Sequence, residues 1–219
     1  MEHRRIGGVS CLLDFAASPE CLLIQPCGAG EVAELEAELS AICADARPFS
    51  AVFFAAEDWN RDLSPWAAPP VFGKTPFGCG AADTLAWITE SLLPELPKAP
   101  VVLGGYSLAG LFSLWCGYQS NLFQAIAAVS PSVWFPGWIE FARLHRCLTP
   151  NVYLSLGDLE HRSRNPVLST VHEAILMQDR LLERDECAHQ LEWNPGNHFR
   201  DAPGRTALGF RWTMHSLAT

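Results

Sequence analysis

One stretch constrains the chain more than any other: Val101-Val102-Leu103-Gly104-Gly105-Tyr106-Ser107-Leu108-Ala109-Gly110-Leu111. An apolar run of the kind buried in a sheet leads into a serine, and an apolar helical pattern starts directly after it. That order is the pattern of a nucleophile elbow, in which a serine stands on a strained turn between strand and helix. The turn works only if small residues lie two before and two after the serine, because strand and helix backbones cross there. Gly105 and Ala109 fill those places, giving G-x-S-x-A, and alanine still meets the steric requirement. Taken alone, the same stretch also suits a plain tight connection or a phosphate-binding nest.

The rest of the chain alternates short apolar runs with helical periods. Cys21-Leu22-Leu23-Ile24-Gln25-Pro26 is a continuous apolar run closed by proline and glycine, as expected for a strand buried on both faces. Residues 31–46 then carry Val32, Leu35, Leu39 and Ile42 three or four apart, with Glu31, Glu34, Glu36 and Glu38 between them, which predicts an amphipathic helix. Further strands are expected at 50–56, 125–129, 151–156 and 190–193. Helices are expected at 81–96, 108–118, 135–147, 166–185 and from about 200 to 217. Residues 5–15 hold a short apolar segment suited to a single edge strand. Such alternation means βαβ units, hence an α/β fold with a doubly wound, mostly parallel sheet and helices on both faces. A length of 219 residues without repeat or linker fits one domain, 1–219. Within it, 57–80 is a long stretch rich in proline and aromatics (Trp59, Trp66, Phe72, Phe77), expected to be a lid or pocket wall rather than filler.

In such a sheet the functional groups gather just past the carboxyl ends of the strands. Ser107 follows one strand, Asp158 and Glu160 follow another, and His198 follows the last. A serine hydroxyl needs an imidazole to take its proton, and the imidazole needs a carboxylate to fix its tautomer. The candidate catalytic set is therefore Ser107, His198 and Glu160. Glu160 is favoured over Asp158 because it lies further into its loop, where a side chain can turn back, but Asp158 remains the alternative acid. His161 shares that loop and is the weaker candidate base; His145 and His172 fall in predicted helices. Donors for an oxyanion are expected from the N–H of Leu108 and from the loop after the Leu22 strand, where Pro26 has no N–H, so Cys27 is favoured with Gly28 in reserve. Trp59, Trp66 and Trp134 are the candidate aromatic walls for substrate.

Composition narrows the partners. The net charge is −9 with only 15 Lys and Arg and no basic cluster, which argues against nucleic acid and anionic membrane surfaces. Eight scattered cysteines show no C-x-x-C pair and no clustering with histidines, so zinc spacing is absent. No apolar run approaches the roughly 18 residues a membrane span needs, and no apolar signal core follows Met1. A cytoplasmic protein with reduced, mostly buried thiols is the expectation.

The residues Gly104-Gly105-Tyr106-Ser107-Leu108-Ala109-Gly110, Ser130-Pro131-Ser132, Gly157-Asp158-Leu159-Glu160 and Gly196-Asn197-His198-Phe199 together resemble the α/β-hydrolase superfamily. The likeness is to its esterase branch, with esterase D, S-formylglutathione hydrolase and siderophore esterases, and runs from about residue 20 to the end. It implies a serine esterase that cleaves a small-molecule ester through an acyl-enzyme, without metal or cofactor. The chain departs from that branch in being short, with few residues before the Leu22 strand, so a fold shortened at the N-terminus is expected, the first strands of the usual eight being missing or merged. Two other readings stand beside it: an acyltransferase or thioesterase using the same residues, and a binding protein that keeps the fold without the activity.

Overall fold

The computed structural model describes residues 1–28, 32–43 and 47–217. Its strands are β1 (Glu2–Ile6), β2 (Val9–Asp14), β3 (Cys21–Cys27), β4 (Phe49–Ala55), β5 (Val101–Tyr106), β6 (Ala125–Val129), β7 (Asn151–Gly157) and β8 (Ala188–Asn194). They join in one sheet in the order β1-β2-β4-β3-β5-β6-β7-β8. From β4 onward along that order every pairing is parallel; β1 and β2 pair antiparallel with each other, and β2 with β4. The N-terminal shortening expected from the sequence is thus corrected, because all eight strands are present. Residues 5–15 form the turn and second arm of a hairpin rather than one edge strand. Gly7 and Gly8, both with positive φ, make its two-residue turn, and Ile6 pairs with Val9. Two residues with positive φ suit a tight hairpin whose twist matches its strands, and glycine adopts them at little cost.

Helices cover both faces. On one face α1 (Val32–Cys43) and α7 (Ala202–Ser216) bury Leu35, Leu39, Ile42, Phe210 and Met214 against Leu23, Phe53, Val102 and Ala127. The opposite face is covered by α3 (Ala81–Trp87), α4 (Leu108–Gln119), α5 (Trp138–Leu144) and α6 (Val171–Arg184), on Leu22, Ile24, Leu103 and Ala128. Neighbours along one strand therefore belong to different cores, as the two-residue period of a strand requires. That double burial is why these strands read as unbroken apolar runs. The period over 81–96 is realised as α3, a wider turn over Ile88–Leu92 and a 3₁₀ turn over Leu93–Glu95 that holds Pro94. Glu31 and residues 44–46 of the predicted first helix lie outside the described residues. Among the described residues no helix is long and apolar enough to cross a membrane.

Residues 57–80 contain one short helix, α2 (Trp59–Asp62), capped by Asp58, whose carboxylate accepts the Arg61 N–H. The remainder is tied down. Ala68 bridges Phe77, Gly80 N–H donates to Arg61 O, Trp66 Nε1 donates to Pro136 O, and Asn165 Nδ2 donates to Val71 O. These ties hold the segment to the turn before α5 and to the loop before α6.

Candidate functional site

Ser107 sits between β5 and α4 with φ 60° and ψ −119°, a conformation most side chains avoid. The elbow is held by neighbours: Ser107 N–H donates to Val129 O, and Ser132 N–H donates to Ser107 O. A Cβ on Gly105 would stand 2.6 Å from the Ala109 Cβ, so the small-residue pair read from the sequence reflects a real crossing of strand and helix. The strain lifts the hydroxyl clear of the sheet and aims it at the loops after β7 and β8.

Those loops are stitched together. Asp158 N–H donates to Asn194 O, Leu159 N–H to Gly196 O, and Gly196 N–H to the Asp158 carboxylate at 2.7 Å. The stitching brings His198 and Glu160 face to face. His198 Nε2 lies 3.0 Å from Ser107 Oγ, and His198 Nδ1 lies 2.7 Å from Glu160 Oε2. An ionised carboxylate can only accept, which puts the ring proton on Nδ1 and leaves Nε2 to accept from the serine. Asp158 is occupied with the Gly196 backbone and fastens the two loops. Among the described residues no other histidine has a hydrogen bond to Ser107: His161 packs edge-on to His172, and His145 Nδ1 lies 2.7 Å from Phe141 O.

Glu160 is 9% exposed, and burial alone would raise its pKa. That push is outweighed by the hydrogen bond and charge of His198, the Gly157 N–H and the Ser130 hydroxyl, and the carboxyl ends below its ordinary value of 4.5. Its Oε1 accepts from Gly157 N–H at 2.8 Å, from Ser130 Oγ at 2.8 Å and from Arg205 Nη2 at 3.0 Å. Arg205, 3% exposed on α7, also donates to Ser130 Oγ, to Asn194 Oδ1 at 2.9 Å and to Tyr106 OH at 2.9 Å. Tyr106 in turn donates to His198 O at 2.6 Å, so it supports the histidine from below while its ring faces the imidazole. Sequence reasoning missed Arg205. An arginine inside a predicted helix reads as solvated surface, and one sequence carries no sign that it turns inward. Ser130 and Ser132 were visible as a motif without a role; Ser130 holds the acid, and the Ser132 hydroxyl lies 3.4 Å from that of Ser107.

Leu108 opens α4, where backbone N–H groups have no carbonyl partner within the helix. Cys27 ends β3; its Sγ contacts Phe54 O, its carbonyl accepts from Ala56 N–H, and Pro26 before it lines a cavity beside Ser107. Two cavities flank the serine. One, of about 270 Å³, is lined by Gln25, Pro26, Glu38, Trp59, Tyr106 and Thr206 among others. The larger, about 660 Å³, is lined by His198, Glu160, Phe72, Trp134, Phe199 and Arg162 among others. Trp59 and Trp134 therefore stand on cavity walls, one on each. Trp66 stands on neither, which corrects its place among the candidate walls. Its ring packs on Phe135 and Phe141 and its N–H is taken by Pro136 O, so it pins the 57–80 segment to α5.

Sheet order, elbow and strand-end loops together define the α/β-hydrolase fold. Solved structures of similar shape include proteins described as a serine hydrolase, a siderophore hydrolase and an enterobactin esterase. An IroE-like serine hydrolase from Shewanella oneidensis matches with TM-score 0.75 at 15% identity, over 95% of this chain and 75% of that one. The siderophore hydrolase EstA from Aspergillus nidulans matches with TM-score 0.70 at 17% identity, over 95% and 90%. The enterobactin esterase FES from Shigella flexneri, solved in the presence of enterobactin, matches with TM-score 0.70 at 16% identity, over 99% of this chain and 60% of FES. At such identities the likeness concerns the fold. No protein-family model and no curated protein sequence matches the chain.

Proposed function

We propose that the chain is a serine hydrolase that cleaves a carboxylic ester through an acyl-enzyme on Ser107. The observation that carries this reading is the unbroken relay from Ser107 Oγ to His198 Nε2 at 3.0 Å and from His198 Nδ1 to Glu160 at 2.7 Å. In the first half-reaction Ser107 Oγ attacks the ester carbonyl while His198 Nε2 takes the hydroxyl proton. Glu160 keeps the tautomer and stabilises the imidazolium. The oxyanion is met by the Leu108 N–H and a second donor at Cys27 or Gly28. His198 then passes its proton to the alkoxide as the carbonyl–oxygen bond breaks. Water activated by the same imidazole releases the acid and restores the serine. The names of the structural neighbours, a serine hydrolase, a siderophore hydrolase and an enterobactin esterase, favour this reading over transfer to another acceptor.

Hydrolysis of 2-naphthyl alkanoates, followed by naphthol fluorescence, tests it. Turnover that falls on the order of 10⁴-fold in both His198→Ala and Glu160→Gln is expected. Turnover in the parent that survives both substitutions would overturn the assignment.

A further inference from the structure

The Ser130-Pro131-Ser132 motif is only half explained by the relay. Ser130 holds the acid, whereas the Ser132 hydroxyl takes no part in the Ser107–His198–Glu160 contacts. Yet the segment that carries it is built onto the elbow. Ser107 N–H donates to Val129 O at 3.0 Å and Ser132 N–H donates to Ser107 O at 3.0 Å, so residues 129–132 hold the nucleophile's backbone at both its polar groups. A Cβ on Gly110 would stand 3.2 Å from Pro131 Cα, which puts the same segment against the first turn of α4. Ser132 is 1% exposed, and among the described residues its Oγ has one hydrogen-bonding neighbour, Ser107 Oγ at 3.4 Å.

The direction of that contact follows from the relay. His198 keeps its ring proton on Nδ1 against Glu160, so the Ser107 proton points to Nε2 at 3.0 Å. Ser107 Oγ is then left to accept, and Ser132 to donate. A buried hydroxyl with a single neighbour sends its proton there, because leaving it unmet costs free energy. Donation therefore runs from Ser132 to Ser107 to His198, a chain in which each bond polarises the next. At 3.4 Å the first link is long for two neutral hydroxyls, and catalytic hydrogen bonds that are long at rest tighten as the acceptor gains charge.

We propose that the Ser132 hydroxyl is a further catalytic group, a donor to Ser107 Oγ that counts most when this oxygen carries negative charge. The inference rests on the hydrolase reading above and adds a member to its machinery. Charge builds on Oγ twice, as it gives up its proton to attack the ester carbonyl and as it departs when the acyl-enzyme breaks. No bond to Ser132 forms or breaks, and its proton stays on its own oxygen; the protons of the reaction move through His198. The two steps start from different ground states. Before acylation Ser107 is a hydroxyl that already accepts from Ser132. Before deacylation its Oγ is an ester oxygen, a poorer acceptor, so the donor has more to gain on the way to the departing alkoxide. Loss of the Ser132 hydroxyl should thus slow deacylation more than acylation.

The two rates are read separately with 2-naphthyl acetate on the parent and on Ser132→Ala. Stopped-flow release of naphthol gives acylation, and the decay of the acyl-enzyme mass after rapid removal of substrate gives deacylation. Deacylation slowed about tenfold or more, with a smaller effect on acylation, is expected for the loss of a hydrogen bond to a charged oxygen. Ser132→Thr, which keeps a hydroxyl, should recover deacylation that Ser132→Val, of nearly the same shape, does not. The comparison of parent with Ser132→Ala decides the matter even if the two larger side chains prevent folding. Equal losses in both steps are what a displaced Ser107 would give, and they would overturn the donor assignment. Both rates unchanged in Ser132→Ala, with turnover still lost in His198→Ala, would overturn it too and leave the hydrolase reading standing. If the parent forms no acyl-enzyme and Ser107 does not react with a fluorophosphonate, the hydrolase reading falls, and the role of Ser132 with it.

Discussion

Replacing Arg205 with methionine removes the guanidinium but keeps most of the side-chain volume, and the structure gives the size of the consequence. The arginine is 3% exposed and its partner Glu160 is 9% exposed, so the carboxylate would be left buried without its countercharge. Ser130 Oγ, Asn194 Oδ1 and Tyr106 OH would each lose a donor at the same time. Removing one member of a buried pair costs about 3–5 kcal/mol. At about 2–4 °C per kcal/mol for a chain of this size, the melting temperature should drop by roughly 6–20 °C. Arg205→Lys keeps the charge but not the planar fork that reaches Asn194, Tyr106 and Glu160 together, so its loss should be intermediate. Activity should fall in step, since Tyr106 and Glu160 both position His198, and a misplacement of about 1 Å can cost on the order of 10²-fold. Urea unfolding of the three proteins, with naphthyl ester turnover on each, supplies both readouts. Arg205→Met within about 1 kcal/mol of the parent, below the cost expected for a stranded buried carboxylate, would refute the reasoning.

Glu160→Gln should lower kcat on the order of 10⁴-fold, whereas Asp158→Asn, whose residue holds Gly196 rather than His198, should cost far less; steady-state kinetics on the pair separates acid from clasp. Because the Glu160 carboxyl is held below its ordinary 4.5, its stabilisation is fully present above that value and is lost as pH falls through its folded pKa. The stability gap between parent and Glu160→Gln, measured by denaturant titration, should therefore narrow below pH 4.5 and stay constant above it. Gly105→Ala places a methyl 2.6 Å from the Ala109 Cβ and should cost about 1–3 kcal/mol by thermal unfolding while displacing the elbow. Ser107→Gly should be about 1 kcal/mol more stable than Ser107→Ala, since only glycine adopts φ 60°, ψ −119° without strain.

Much of this architecture is legible in the residues because burial writes itself into them. Strands sandwiched between α1 and α7 on one side and α4 and α6 on the other must be apolar throughout, so β3 to β7 stand out as runs. The elbow is legible because a crossing of backbones leaves room only for Gly105 and Ala109. The N-terminal hairpin was less so: β1, Glu-His-Arg-Arg-Ile, is an exposed edge strand whose polar residues conceal it, and only the Gly7-Gly8 turn marks it. Arg205 was hidden for the opposite reason, as a polar residue whose burial depends on partners about 45 to 100 positions away along the chain. Trp66 shows the limit of reading aromatics by loop: being in the right segment does not decide which way a ring turns.

The most direct measurement is the reaction of the folded protein with a fluorophosphonate, followed by peptide mapping of the added mass. The relay predicts one modification, on Ser107, abolished in His198→Ala and strongly slowed in Glu160→Gln. Folded protein that takes no label at Ser107, or that labels equally well without His198, would contradict an activated serine at this elbow.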